Sequence, residues 1–202
     1  MYRLLIISLV VALVLVGADQ LIKYLIVQNY EVCTGYIKSY YTFSIGDFDV
    51  FSLTHIRNSG AGWSILEGKT VFLIAFTSLI MLVILFYMII QRKTMNKFEM
   101  LSLTLILAGG VGNLIDRARM IIDPEFTGVI DYIKLDFINF PIFNFADICV
   151  VVGGISLIVV FAVLEAKAAK KNKLENAAKS AAMQTDAQNQ DNVNADGGDN
   201  NA

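Results

Sequence analysis

Apolar residues fall into four long blocks along the chain, separated by polar and aromatic stretches. Thr70 to Gln91 carries no charge and lies between Lys69 and Arg92. Leu4 to Ala18 is also uncharged, and its apolar pattern continues past Asp19 and Lys23 to about Val27. Met100 to Ile115 and Ile148 to Leu164 are shorter, and each meets an aspartate at one end, Asp116 and Asp147. A helix rising about 1.5 Å per residue needs about 20 apolar residues to cross a hydrocarbon core about 30 Å thick. Four membrane-spanning helices are expected.

The start of the chain has a second reading. Arg3, the apolar stretch and Val16-Gly17-Ala18 have the layout of a cleaved signal peptide. The apolar pattern runs on through Leu21, Ile22, Tyr24, Leu25 and Ile26, so the segment is expected to stay as the first span.

Lysine and arginine near span ends mark the cytoplasmic side. The loop 91–98 holds Arg92, Lys93 and Lys97; Lys167, Lys170, Lys171 and Lys173 follow the fourth span, and Arg3 precedes the first. Both termini are therefore expected in the cytoplasm, with residues 28–69 and 116–147 outside. In the first outer segment, residues 36–56 are rich in Tyr, Phe, Thr, Ile and Val around a Gly46-Asp47 break, the pattern of two strands and a turn. Residues 133–143 alternate and suggest another short strand. The expected fold is an α-helical membrane protein: a four-helix transmembrane domain over residues 1–165 with a small extracytoplasmic β-element, then a polar cytoplasmic tail, 166–202. From about Gln184 the tail is Asn, Asp, Gln and Gly with little to bury, so disorder is expected there.

Composition agrees with a membrane location. The 202 residues are 56% apolar and 17% charged, against about 45–50% and about 25% in ordinary soluble domains. A net charge of −2 offers no basic face for nucleic acid. Cys33 and Cys149 are far apart in sequence and form no CxxC, so neither a disulfide framework nor a zinc site is indicated.

Ionisable residues inside membrane spans are costly and usually pair, face the bundle interior or serve a site. Asp19 and Lys23 are four apart on one helical face in the favourable order for an ion pair, a reading that makes them a structural lock. Gly109, Gly110 and Gly112 allow close backbone approach; Asn113 follows them, one turn before Asp116 and Arg117. Asn144 and Asp147 begin the fourth span, where either residue would serve simply as a helix cap. Asp131, within Gly128-Val129-Ile130-Asp131-Tyr132-Ile133, is harder to explain structurally, because an isolated carboxylate in an apolar stretch is expensive unless paired, protonated or working.

The lone histidine, His55, and Ser64 lie nine residues apart in one loop, a poor arrangement for nucleophile and base. One histidine also cannot supply a zinc-protease HExxH motif. Carboxylates remain. Two that lie close together share a proton, and such a pair can activate water and polarise an amide carbonyl without metal or other cofactor. Asp131 with Asp147 is the favoured pair, and Asp19 with Asp147 the alternative. A small transporter with a proton relay through Asp19, Lys23, Asp116 and Asp147 is the competing function. Intramembrane proteases of the GxGD type are disfavoured because Gly110-Val111-Gly112 leads to Asn113.

Taken together, Asp19-Gln20-Leu21-Ile22-Lys23, Asn58-Ser59-Gly60-Ala61-Gly62-Trp63, the run from Gly109 to Arg117, Val129 to Ile133 and Phe143 to Asp147 resemble, in order, the motifs of the lipoprotein signal peptidase (signal peptidase II) family. The resemblance covers roughly residues 4–165. It implies a membrane aspartyl endopeptidase that removes the signal peptide of diacylglyceryl-modified bacterial prolipoproteins just before the lipidated cysteine. It further implies Asp131 and Asp147 as the catalytic dyad, and Asn58, Gly60, Asn113, Arg117 and Asn144 as substrate-binding or supporting residues. Asp19, Lys23 and Asp116 would be structural. The implied setting is the cytoplasmic membrane with the site at its extracytoplasmic face; the partners are prolipoprotein substrates and membrane lipid, and a monomer suffices. Two features depart from the family pattern: Gly62-Trp63 stands where Ala-Phe is usual, and the stretch from Arg117 to Asp131 is long, which suggests a larger lid, with the loop around Gly128 over the site.

Overall fold

The computed structural model describes residues 2–60 and 68–196, with residues 177–196 as backbone. Ser64 and the Gly62-Trp63 departure lie outside the described residues. Among the described residues, four helices are long and apolar enough to cross a membrane: α1 (Arg3–Asn29), α2 (Thr70–Ile90), α3 (Lys97–Ile122) and α4, which begins at Phe145. The described residues also form three strands, β1 (Tyr41–Ile45), β2 (Phe48–Asn58) and β3 (Val129–Leu135). Two compact units are distinguished, Met1–Leu157 and Ile158–Ala202; the site described below lies in the first.

The buried positions of α1 are Leu5, Ser8, Ala12, Asp19, Lys23 and Ile26, spaced by threes, fours and a seven. That spacing is one face of a helix. The remaining face is equally apolar and exposed, with Leu13 and Val14 among its residues, as expected where the solvent is lipid. At one end of the bundle Met88, Met100, Leu103 and Leu107 form a packed cluster with Leu5 and Met81. Towards the sheet, Ile26, Phe126, Ile130 and Tyr132 form a second one.

Two helix boundaries differ from the sequence expectation in ways that matter for the site. Asp116 does not end α3; the helix continues to Ile122, and it stops where Asp123 precedes Pro124, since a residue before proline is driven out of the helical region. The long stretch from Arg117 to Asp131 is therefore mostly helix and a short turn. Phe126 in that turn is buried beneath the guanidinium groups of Arg57 and Arg119, at 4.3 and 4.1 Å from its ring centre. The extra length is tied down and supplies no large lid. At the other end of the chain, α4 continues as helix to Asp196, beyond the point at Gln184 where composition suggested disorder. Ala, Lys and Glu between Lys170 and Met183 are good helix formers, and extending an existing helix needs no new nucleus.

The sheet is antiparallel in the order β1-β2-β3. β1 and β2 form the expected hairpin, closed by Gly46 at φ 62°. The third strand lies at Val129–Leu135 instead of the expected 133–143; Phe143 returns only as a single bridge to Ile133. The alternation in 133–143 misled because the residues after Leu135 turn away and form a wall beside β3. Asp131 thus stands on a strand and not in a loop. Between Leu53 and Ile56 the register of β2 against β3 slips by one residue, a β-bulge. Past it, Ile56 faces Asp131 and Asn58 faces Val129, while Arg57 pairs with Ile130. Without the bulge Arg57 would share the face of Asp131; with it, Asn58 does.

Candidate active site

β3 carries Asp131 into a cavity of about 370 Å³ that Asp147, on the first turn of α4, enters from the other side. Asn58, Asn113 and Arg117 line it as well. The rest of the wall is apolar and comes from Val129, Leu135, Phe140–Phe143, Ile148, Val151 and Val152. This wall does the enclosing that was expected of the loop around Gly128.

Three asparagines hold the two carboxyl groups. Asn144 and Asp147 cap each other: the Asn144 backbone N–H donates to Asp147 Oδ2, and the Asp147 N–H donates to Asn144 Oδ1, both at 3.0 Å. This reciprocal pattern is a capping box. With its oxygen occupied, the Asn144 amide nitrogen is left to reach Asp131 Oδ1 at 2.6 Å and Asn113 Oδ1 at 3.0 Å. Asn113 in turn donates to Asp147 Oδ1 at 2.8 Å. The two aspartates are therefore joined by a side-chain chain through Asn144 and Asn113. Asn58 donates to the other oxygen of Asp131 at 2.9 Å, and its own oxygen accepts from the Gly60 N–H at 3.0 Å, which fixes the direction of the amide. Arg117 donates to the Gly60 carbonyl at 3.2 Å and adds a positive charge that acts on both carboxyls.

Asp131 is 2% exposed. Burial pushes its carboxyl up to about 7, and the charge of Asp147 pushes the same way; hydrogen bonds from Asn58 and Asn144 and the Lys23 charge oppose this. At neutral pH the group stands near half protonation, where a proton is easily held or released.

Asp19, Lys23 and Asp116 lie beneath this site. Lys23 Nζ is 2.9 Å from both Asp19 Oδ2 and Asp116 Oδ2 and donates to Asn113 Oδ1 at 3.0 Å. Asp116 accepts from the Ile130 N–H and Asp19 from the Ala146 N–H. One buried cation thereby connects α1, α3, β3 and the start of α4. Asp19 is consumed by these contacts and does not line the cavity, so the alternative pair Asp19–Asp147 is not assembled. The glycines of α3 make the approach possible: a Cβ on Gly109 would lie 2.2 Å from the Ala146 carbonyl oxygen, and one on Gly112 2.7 Å from Asp19 Oδ2.

A family model described as Signal peptidase (SPase) II matches residues 11–163. The chain belongs to the signal peptidase II family. Among relatives of this family, the lipoprotein signal peptidase of Enterococcus faecalis is 42% identical over 173 residues, 86% of this chain and 98% of that protein. That of Lactiplantibacillus plantarum is 40% identical over 151 residues, 75% of this chain and 89% of the relative. A solved structure titled as a bacterial membrane enzyme, determined by the in meso method at 2.3 Å resolution, superposes with a TM-score of 0.63 at 30% identity, covering 77% of this chain and 87% of that one. The protein is accordingly a multi-pass bacterial membrane peptidase.

Two contributors to this signal peptidase II site went unassigned in the sequence. Gln20 bonds Asp19, the Gly112 carbonyl and Asp116; its position beside Asp19 in an apolar helix was the available signal. Tyr132 accepts from the Phe145 N–H through its hydroxyl at 3.1 Å, and no local pattern foretold that.

Proposed function

We propose that the protein is an aspartyl endopeptidase that cuts diacylglyceryl-modified prolipoproteins immediately before the lipidated cysteine, with Asp131 and Asp147 as the catalytic pair. The observation that carries this reading is the pair of carboxyls on one cavity, linked through Asn144 and Asn113, with one of them raised to about 7. In the resting pair one proton is shared and Asp131 is its main seat. The ionised carboxylate takes a proton from water as the water oxygen attacks the scissile carbonyl carbon. The protonated carboxyl gives its proton to the carbonyl oxygen, forming a gem-diol. Collapse of that intermediate breaks the C–N bond as a proton passes to the departing nitrogen. The products are a signal peptide ending in a carboxylate and a lipoprotein beginning with a free amino group. Arg117, Asn58 and Gly60 hold the substrate backbone, and the apolar wall from Leu135 to Val152 receives its apolar side chains.

The reading also places the chain in the bacterial cytoplasmic membrane with the dyad on the extracytoplasmic side, in keeping with Arg92, Lys93 and Lys97 at the opposite end of the helices. A lipidated substrate keeps its acyl chains in the bilayer, and its anchoring raises the local concentration at the site. One chain holds all of these groups, so a monomer is sufficient.

The test is cleavage of a diacylglyceryl-modified prolipoprotein peptide by detergent-purified protein, with and without a chelator, for wild type, Asp131→Asn and Asp147→Asn. Cleavage before the lipidated cysteine that survives chelation and vanishes in both folded variants is the expected result. Substantial activity in Asp131→Asn would refute the dyad. Solute uptake or proton flux in proteoliposomes, without cleavage, would favour a transporter.

A further inference from the structure

Adjacent residues on a strand point to opposite faces of the sheet, and the β2–β3 pair uses both. Asn58, Val129 and Asp131 face the dyad cavity; their neighbours Arg57 and Ile130 face a separate cavity of about 200 Å³. Arg57 from β2 and Arg119 from the last turn of α3 each pack on the Phe126 ring there, and Tyr24, Val27 and Gln28 of α1 form its exposed edge.

Among the described residues neither Arg57 nor Arg119 has a carboxylate within 4.0 Å, and Arg57 Nη1 is buried without a hydrogen-bond partner. Burial disfavours the Arg57 cation and the Arg119 charge adds to that, whereas Asp116 and Asp123 oppose it from beyond ion-pair distance. Asp116 is moreover already paired with Lys23. A buried guanidinium N–H group is normally satisfied, and guanidinium donors match the oxygens of a phosphate. The depth of the cavity indicates where that phosphate comes from. Arg119 lies about 33 Å along α3 from Lys97 and Tyr24 about 32 Å along α1 from Arg3, just past a hydrocarbon core about 30 Å thick. Phospholipid phosphates sit at that level. A zwitterionic headgroup would bring an ammonium towards two guanidinium groups, so a lipid with an uncharged alcohol on its phosphate fits better.

We propose that Arg57 and Arg119 form a binding site for the phosphodiester headgroup of an anionic phospholipid, on the face of the sheet opposite the dyad. The lipid phosphate accepts from both guanidinium groups, and its chains run down the exposed side of α1 from Tyr24. Its place next to Lys23, which also lines this cavity, puts the bound headgroup one residue from the ion cluster that supports Asn113.

Native mass spectrometry of the full chain in detergent, titrated with dioleoyl phosphatidylglycerol or dioleoyl phosphatidylcholine, tests the proposal without reference to peptidase activity. Wild type should retain one phosphatidylglycerol per chain at least tenfold more tightly than phosphatidylcholine. Arg119→Gln, an exposed change, and Arg57→Gln should each weaken that retention about tenfold, and Arg119→Lys less. Lys93→Gln, at the far end of the bundle, should leave it unchanged, and thermal unfolding verifies that each variant is folded. Equal retention by wild type and folded Arg119→Gln overturns the proposal. So does displacement of the lipid by an equal concentration of inorganic phosphate, which would make free phosphate the ligand.

Discussion

Asn144 and Asp147 hold one another by two 3.0 Å hydrogen bonds at the start of α4, and the same asparagine touches Asp131 at 2.6 Å. A helix cap and the link between two carboxyls are thus one residue. The two roles separate by substitution. Serine caps about as well as asparagine but is too short to bridge to Asp131 and Asn113. Asn144→Ser is expected to keep the melting temperature within a few degrees of wild type while lowering kcat on lipidated peptide about 100-fold. Equal losses of both would mean that Asn144 acts through the cap alone.

The position of Asp131 makes both stability and activity depend on pH. Its carboxyl is raised in the folded chain from the ordinary 3.8 to about 7, so folding favours the protonated form. The sign follows: relative to acid, the folded state loses stability as pH rises from about 4 to about 7, up to an order-of-magnitude limit of about 4 kcal/mol. Asp131→Asn removes the charge at nearly the same shape. The variant is expected to match wild type near pH 4, to melt several degrees higher above pH 7, and to be inactive throughout. In wild type, kcat/KM should fall above about pH 7 as the shared proton is lost. Thermal melts and rates across pH 4–9 check both limbs, and a variant less stable than wild type at pH 8 would show that burial does not strain this carboxyl.

The four spans and the hairpin at Gly46-Asp47 were legible because apolar length and turn chemistry are local. Asp131 stood out by the mismatch between its charge and its apolar neighbours. Its strand was misplaced to 133–143, since alternation alone does not say which residues find a partner; β2 supplies that at Val129–Leu135. The bulge between Leu53 and Ile56, which chooses Asn58 over Arg57 as the neighbour of Asp131, leaves no mark in the residues themselves. Nor could the order of bonds among Asn58, Asn113 and Asn144 be read, because it depends on side chains brought together from three elements.

Close approach at α3 gives a paired prediction. A methyl group on Gly112 would meet Asp19 Oδ2 at 2.7 Å and Ala146 Cβ at 3.2 Å, whereas one on Gly154 would meet nothing within 4 Å. Gly112→Ala must therefore move the carboxylate that holds Lys23, and is expected to cost about 1–3 kcal/mol, as overpacking of a fitted interior does. Gly154→Ala should be neutral or stabilising by up to about 1 kcal/mol, because alanine is the better helix former. Thermal unfolding in one detergent compares them directly; equal melting temperatures would show that α1 is free to shift away from α3.

Lys23 is 1% exposed and serves Asp19, Asp116 and Asn113 together. Its removal leaves two carboxylates in the interior without a counter-charge, the circumstance in which breaking a buried ion pair costs about 3–5 kcal/mol. Lys23→Met is thus expected to be severely destabilised. If the cluster matters chiefly for charge balance, the triple variant Lys23→Met, Asp19→Asn, Asp116→Asn should recover most of the melting temperature, since no unpaired ion remains. Activity should recover far less, because the Asn113 oxygen would keep only the bond from Asn144 and lose the one from Lys23, and Asn113 would hold Asp147 less firmly. A triple variant with both stability and turnover restored would reduce the cluster to packing; one with neither restored would mean that the bonds to the Ile130 and Ala146 N–H groups need the full carboxylate charge.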